Sequence, residues 1–105
     1  MEPRETHEQR DRIQILDVRE PAEWSAGHIE GAVHIPMSHL AARQQEIATD
    51  RTVVCVCRSG SRSEQVAQAL TRAGYDAHNM EGGMKAWSRA GLPFISDDGT
   101  PARVA

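Results

Sequence analysis

The chain has 105 residues, of which 39% are hydrophobic and 26% are charged, and this composition is typical of one ordinary globular domain rather than a disordered segment. Its formal net charge of -3 argues against a general nucleic-acid-binding protein, because such proteins carry a basic excess. No apolar run approaches the roughly 20 residues that span a bilayer, and residues 1–12 lack the apolar segment of a secretion signal, so we predict neither a nucleic-acid partner nor a membrane association.

The amino-terminal part of the chain predicts a flexible arm followed by a strand, a helix and a second strand. Residues 1–12 are polar and show no periodicity, which is typical of a loose terminus. The mostly apolar residues 13–16 predict a buried strand. Pro21 suits the first position of a short helix that ends near Gly27. Residues 32–35 predict the second strand.

The same alternation of strands and helices continues through the rest of the chain. A helix is predicted over residues 38–48, with Ser38 as its N-cap. The apolar residues 52–56 predict the central strand. The next helix, over residues 63–73, is preceded by a capping-box pattern, Ser61-x-x-Glu64. The remaining predicted elements are a strand over residues 75–80, a helix over 84–89 and a polar, mobile tail over 96–105.

Short helices that alternate with short apolar strands are typical of a parallel sheet covered on both faces. We therefore predict an α/β fold, a small doubly wound parallel sheet flanked by helices on both faces, formed by one domain over residues 13–95. In such sheets ligands bind beyond the carboxyl ends of the strands. Cys57 follows the most apolar strand, so the candidate chemistry lies at this edge.

The loop over residues 57–62, with the sequence CRSGSR, has the composition of a site that activates a thiol. A cysteine is nucleophilic as the thiolate, and its ordinary pKa is about 8.5. The amino terminus of the following helix, two arginine charges and a backbone that a glycine lets curl inward all favour an anion. We predict Cys57 as the catalytic nucleophile. The predicted binding residues are the rest of the loop, namely Arg58, Ser59, Gly60, Ser61 and Arg62.

The remaining cysteine and the histidines predict no further reactive site. Cys55 lies in the middle of a strand between valines, which favours an inert core thiol over a resolving thiol that forms a disulfide with Cys57. A CxC pair offers too few ligands for a metal and the histidines have no metal-ligand spacing, so we predict no metal and no cofactor. With no export signal and no disulfide framework, the predicted compartment is the reducing cytoplasm.

Three segments together resemble the rhodanese family, the thiosulfate sulfurtransferases. Residues 16–36, LDVREPAEWSAGHIEGAVHIP, resemble its amino-terminal signature, CRSGSR resembles its catalytic loop, and residues 81–93, EGGMKAWSRAGLP, resemble its carboxyl-terminal signature. The resemblance implies a small α/β domain with a central parallel sheet. It also implies that Cys57 takes the sulfane sulfur of thiosulfate or a related donor as a persulfide, which is held by the amides of residues 58–62. The arginines would attract the dianionic donor.

Two other functions remain open from the sequence. The loop spacing is Cys-x4-Arg, one residue shorter than the Cys-x5-Arg loops of cysteine phosphatases and arsenate reductases, so a phosphate-binding function is the less favoured alternative. The second alternative is a sulfur carrier or interaction module. The predicted partners are thus a small-molecule sulfur donor and an acceptor such as cyanide or a thiol, with a protein as the alternative persulfide acceptor.

Overall fold

The computed structural model describes residues 1–105 and contains one four-stranded sheet. The strands are β1 Gln14–Asp17, β2 Val33–His34, β3 Val53–Val56 and β4 Ala77–Asn79. They lie in the order β2-β1-β3-β4, and every neighbouring pair is parallel. All four carboxyl ends therefore meet at one edge of the sheet, with β1 and β3 in its centre.

Five α-helices connect and flank these strands. They are α1 Pro3–Glu8, α2 Pro21–Ala26, α3 Leu40–Arg43, α4 Ser61–Arg72 and α5 Gly83–Arg89. The longest of them, α4, has 12 residues, and none has both the length and the apolar character that crossing a bilayer requires. The predicted positions of α2, α4 and α5 agree with these bounds to within about two residues, which is the usual uncertainty of helix ends.

Helices cover both faces of the sheet. Successive residues of a strand point to opposite sides, so each face has its own core. One core lies between the sheet and α4, where Cys55 packs with Val66 and Leu70. The other lies between the sheet and α5, where Val54 and Trp87 are fully buried. The predicted α/β class, a parallel sheet with helices on both faces, is confirmed.

The amino-terminal segment is not the loose arm that its composition predicts. Pro3 occupies the first turn of α1, and Thr6 is fully buried. The ring of His7 packs edge-on against Trp87, with 5.6 Å between the ring centroids. A helix of six residues is too short to show periodicity in sequence and depends on packing for its stability, so polarity alone gave the wrong prediction.

The carboxyl-terminal residues also contact the domain rather than extending away from it. His28 and Ile95 exchange two backbone hydrogen bonds, of 2.8 and 2.9 Å. Farther along, the amides of Asp97 and Arg103 donate to the carbonyls at the end of α2, each over 3.0 Å. Backbone hydrogen bonds of this kind leave no pattern in the side chains. The polar composition of residues 96–105 therefore predicts a mobile tail although several of these residues are held by such bonds.

Two predicted helix starts were wrong. The single helix expected over residues 38–48 is divided into a 3-10 turn at Met37–His39, the short α3 and a second 3-10 turn at Gln44–Glu46, and Ser38 caps none of them. The capping box predicted for α4 is absent, since its N-cap is Gly60 and makes no side-chain bond. Gly60 has a φ of 106°, a left-handed conformation that glycine adopts without strain.

Candidate active site

Cys57 lies immediately after β3, at the edge where the carboxyl ends of the parallel strands meet. Its side chain is fully buried. A short loop carries the chain from Cys57 to Gly60, and α4 begins at the next residue, Ser61. The predicted nucleophile is thus at the bottom of a tight turn between the central strand and the amino terminus of a helix.

The carbonyls of this loop point toward α5. The amide of Met84 donates to the Cys57 carbonyl over 2.8 Å, and the amide of Lys85 donates to the Arg58 carbonyl over 3.0 Å. Because the C=O and N–H of a peptide unit point in opposite directions, the loop amides face the sulfur. The amide of Gly60 lies 3.0 Å from the Cys57 sulfur and donates to it.

Gly83 makes this contact between α5 and the loop possible. A Cβ atom at Gly83 would lie 2.5 Å from the Cys57 carbonyl oxygen and 2.6 Å from the Arg58 carbonyl. Its φ is also positive, at 60°. Gly83 thus permits the close approach of the α5 backbone to the loop over residues 57–62.

Two residues that the sequence did not single out complete the surroundings of the sulfur. The Ser63 hydroxyl lies 3.2 Å from the Cys57 sulfur and 2.5 Å from the Asn79 side-chain oxygen. The Asn79 amide nitrogen donates to the Gly60 carbonyl over 3.1 Å. A polar residue in the first turn after a nucleophile and another at the neighbouring strand end are the signals that could have identified them.

The two cysteines differ in their tendency to ionise. Burial raises the pKa of Cys57, but hydrogen bonds from the Ser63 hydroxyl and from the amides of Ser63, Gly60 and Ser59 outweigh it and hold the pKa below its ordinary value. Burial raises the pKa of Cys55 to about 12, and the charges of Glu64 and Cys57 act in the same direction. Both are free thiols, so Cys57 is the one prepared to react.

The two arginines of the loop are engaged elsewhere. Arg62 forms a bidentate ion pair with Glu23 of α2, over 2.8 and 2.9 Å. The hydrogen bond from Arg62 lowers the pKa of Glu23. Arg58 is exposed and donates to the Ala105 carbonyl over 3.1 Å. The sequence predicts that both arginine charges stabilise an anion at the Cys57 sulfur. In the structure, the Gly60 amide and the Ser63 hydroxyl contact this sulfur instead.

A buried ion pair holds α2 next to the loop. Arg19 is 0% and Asp17 is 1% exposed, and the two pair over 2.7 Å. Arg19 also donates to the Gly27 carbonyl over 2.8 Å and to the Glu23 carbonyl over 3.3 Å. Asp17 is thus a structural residue, and Arg19 positions the helix that supplies Glu23.

The Trp24 ring of α2 stacks against two histidines from other parts of the chain, and the group is not arranged as a metal site. The Trp24 ring lies between His28 and His34, with centroid distances of 3.7 and 4.6 Å. A ring nitrogen of His28 forms a hydrogen bond with the Trp24 carbonyl over 2.8 Å. No group of three or more His, Cys, Asp or Glu side chains in the structure is arranged to hold a metal ion.

Comparison with other sequences identifies related proteins of the same type. A protein named sulfurtransferase from Allochromatium vinosum is 42% identical over 88 residues, which are 83% of this chain and 82% of that protein. YqhL of Bacillus subtilis, an uncharacterised protein, is 44% identical over 77 residues, 72% of this chain and 61% of its own length. The probable adenylyltransferase/sulfurtransferase MoeZ of Mycobacterium tuberculosis is 36% identical over 97 residues, and the match spans only 25% of its length.

Solved structures and a family model agree with these sequence relatives. A rhodanese-related protein from Thermoplasma volcanium superimposes with a TM-score of 0.87 at 28% identity, over 90% of this chain and 95% of that one. A rhodanese-like domain protein from Staphylococcus aureus gives 0.78 at 30% identity, over 98% and 96%. The family model of the rhodanese-like domain matches residues 2–90. This match over nearly the whole chain, together with the fold, makes the protein a member of the rhodanese-like domain family, whose relatives here include proteins named as sulfurtransferases.

Proposed function

We propose that the protein is a sulfurtransferase that moves a sulfane sulfur from thiosulfate or a related donor to a thiophilic acceptor through a persulfide on Cys57. The observation that carries the proposal is the contact of the Cys57 sulfur with inward-facing amides and the Ser63 hydroxyl. These groups favour an anion at the sulfur, and they are equally suited to the anionic outer sulfur of a persulfide.

The first half-reaction is a displacement at sulfur. The Cys57 thiolate attacks the outer sulfur of thiosulfate, a new S–S bond forms, and the old S–S bond breaks with its electron pair leaving on sulfite. The negative charge then lies on the outer sulfur of the persulfide. In the second half-reaction a thiolate or cyanide attacks that sulfur, and the electron pair of the S–S bond returns to Cys57 as thiolate. Such a double displacement gives ping-pong kinetics.

Two features weigh against a phosphatase or arsenate reductase. The spacing from Cys57 to Arg62 is Cys-x4-Arg, which makes a ring of amides that suits one sulfur atom. Arg62 in addition gives both ends of its guanidinium to Glu23, so it is not free for the bidentate hold on phosphate that such enzymes need. Sulfur chemistry is the better fit to this loop.

The pairing of Arg62 also favours a second candidate, a carrier that exchanges persulfide with another protein. With Arg62 paired, the loop offers a dianionic donor less positive charge than its sequence suggests. A relative, MoeZ, is named as a probable adenylyltransferase/sulfurtransferase, and a carrier role would have this domain pass its sulfur to another protein in the reducing cytoplasm. This candidate predicts slow turnover of thiosulfate beside fast transfer to a protein acceptor.

Release of sulfite from thiosulfate in the presence of cyanide tests the proposal. The wild type is expected to produce sulfite and thiocyanate in equal amounts, and Cys57→Ser is expected to produce neither. Cys55→Ala serves as the matched control and should remain active. Absence of sulfite release from thiosulfate together with absence of a persulfide on Cys57 after incubation with any sulfane donor would overturn it, as would hydrolysis of an aryl phosphate that depends on Cys57.

A further inference from the structure

The Ser63 hydroxyl has one proton and two neighbours that can accept it. Its oxygen lies 2.5 Å from the Asn79 side-chain oxygen and 3.2 Å from the Cys57 sulfur. A hydroxyl donates one hydrogen bond and accepts two. It can therefore donate to Asn79 or to Cys57, and the choice depends on which of them offers the stronger acceptor.

The orientation of the Asn79 amide is fixed by its other end. Its nitrogen donates to the Gly60 carbonyl over 3.1 Å, and the same carbonyl accepts the first helical bond of α4 from the Glu64 amide. Rotating the amide by half a turn would bring two oxygens face to face at Gly60. The Asn79 oxygen therefore faces Ser63, where it acts only as an acceptor.

The two charge states of Cys57 need opposite arrangements of this hydroxyl. In the thiol state, the S–H group donates to the Ser63 oxygen while the hydroxyl donates to Asn79. After the thiol proton has left for solvent, the thiolate can only accept, and the hydroxyl stabilises it by turning toward the sulfur beside the Gly60 amide. The Asn79 oxygen then loses its partner in a partly buried position, which has a free-energy cost.

We propose that Asn79 is a positioning residue that acts through Ser63: it competes with Cys57 for the hydroxyl proton and so opposes ionisation of the thiol. This inference rests on Cys57 as the nucleophile of the proposed function. The device suits a thiol that must attack sulfur, because nucleophilicity falls as thiol pKa falls and is best matched when the pKa is near the ambient pH. The loop amides lower the pKa of Cys57, and the Asn79 oxygen opposes this effect because it holds the Ser63 proton.

Other charged or titratable residues lie on the elements packed around Cys57, and the substitutions below leave them in place. They are Arg58 in the loop, Arg62 and Glu64 on α4, Glu23 on α2 through its pair with Arg62, Cys55 on β3, and Lys85 on α5, whose amide binds the loop.

The test is the pH dependence of alkylation of Cys57 by iodoacetamide, with the labelled residue located by mass. Ser63→Ala removes the donor and is expected to raise the pKa of Cys57 by about one unit. Asn79→Ala removes the competing acceptor and is expected to lower it. In the double variant the Asn79 substitution should have no further effect, because its action requires the Ser63 hydroxyl.

A merely structural role for Asn79 gives a different result. Loss of its bond to Gly60 would loosen the loop amides, raise the pKa of Cys57 and do so whether or not Ser63 is present. Either a raised pKa in Asn79→Ala, or a shift that persists in the Ser63→Ala background, would overturn the proposal. Asn79→Leu, which keeps the branched shape of the side chain without its polar atoms, replaces the alanine variant if that variant unfolds. No sulfur donor enters the test, so a chain that shows these shifts and takes up no sulfur would refute the sulfurtransferase proposal alone.

Discussion

At the scale of single residues, ionisation depends on which hydrogen-bond donors reach a sulfur. Cys55 and Cys57 are two residues apart, are both fully buried and face the same core. Cys55 is inside β3, where the backbone amides are used by neighbouring strands, and its pKa is raised to about 12. Cys57 is just past the strand end, where the amides and the Ser63 hydroxyl turn toward the sulfur. Two residues along the chain thus separate a thiol whose pKa is raised from one whose pKa is lowered.

Glu23 provides a prediction at this scale. Glu23→Gln replaces the carboxylate that neutralises Arg62 with an uncharged amide, so the guanidinium becomes available to an anionic donor. We expect kcat/KM for thiosulfate to rise by about tenfold at low ionic strength, and the gain to shrink as salt screens the charge.

The matched control for this substitution is Glu30→Gln, which removes the same charge at an exposed turn. It should leave kcat/KM near the wild-type value. An equal effect of the two substitutions, or a fall in kcat/KM for Glu23→Gln, would show that the pairing of Arg62 does not limit the donor.

At the scale of elements, the loop over residues 57–62 lies where the amino termini of α4 and α5 meet the carboxyl end of β3. The first turn of α4 places Ser63 against the sulfur. The first amides of α5 bind the carbonyls of Cys57 and Arg58, which turns the loop amides inward. In this arrangement α5 acts as a support for the loop, although none of its side chains is required to touch a substrate.

Gly83→Ala tests this support. The added methyl group would lie 2.5 Å from the Cys57 carbonyl oxygen, so α5 must withdraw from the loop and the amides lose their orientation. We expect a loss of more than about 2 kcal/mol in the free energy of unfolding, measured with urea, together with a higher pKa of Cys57 in the alkylation assay.

Gly91→Ala is the control for backbone strain alone. Gly91 also has a positive φ, of 72°, but a Cβ atom at this position would have no neighbour within 4 Å. The substitution should cost about 1 kcal/mol and leave the pKa of Cys57 unchanged. If Gly83→Ala behaved like Gly91→Ala in both measurements, the support by α5 would be refuted.

The parts of this structure that the sequence predicted are those with a repeating or a local signal. The alternation of apolar strands with helices predicted the parallel sheet, and the Cys57 loop was visible as a thiol followed by a helix start. Asn79 is 16 residues beyond Ser63, and the link between Arg62 and Glu23 spans 39 residues. Such contacts form only when the fold brings distant segments of the chain together, so no local pattern predicts them.

At the scale of the whole molecule, segments from both ends of the chain enclose the fold. The polar residues 1–12 and 96–105 were predicted to be mobile, yet α1 packs beside Trp87 and the amide of Arg103 binds the end of α2. These contacts use the buried Thr6, the His7 ring and a few backbone hydrogen bonds. The other residues of the two segments are mostly polar, so the sequence pattern does not predict the contacts.

The buried Cys55 thiol predicts how the stability of the whole domain changes in alkali. Its pKa is about 12 in the fold and near 8.5 in the unfolded chain. The neutral thiol therefore stabilises the fold fully below about pH 8.5, and this contribution is lost as the pH rises from there toward the folded value. Urea unfolding at several pH values should show a free energy that falls by about 1.4 kcal/mol per pH unit more steeply in the wild type than in Cys55→Ala. Equal slopes between about pH 9.5 and 11 would contradict this account of Cys55.

Intact mass spectrometry after incubation with thiosulfate shows whether Cys57 carries the transferred sulfur. We expect that the wild type and Cys55→Ala each gain the mass of one sulfur atom, that peptide mapping places it on Cys57, and that cyanide removes it. Cys57→Ser should gain nothing. A sulfur atom found on Cys55, or no gain in mass with thiosulfate or any persulfide donor, would contradict the account.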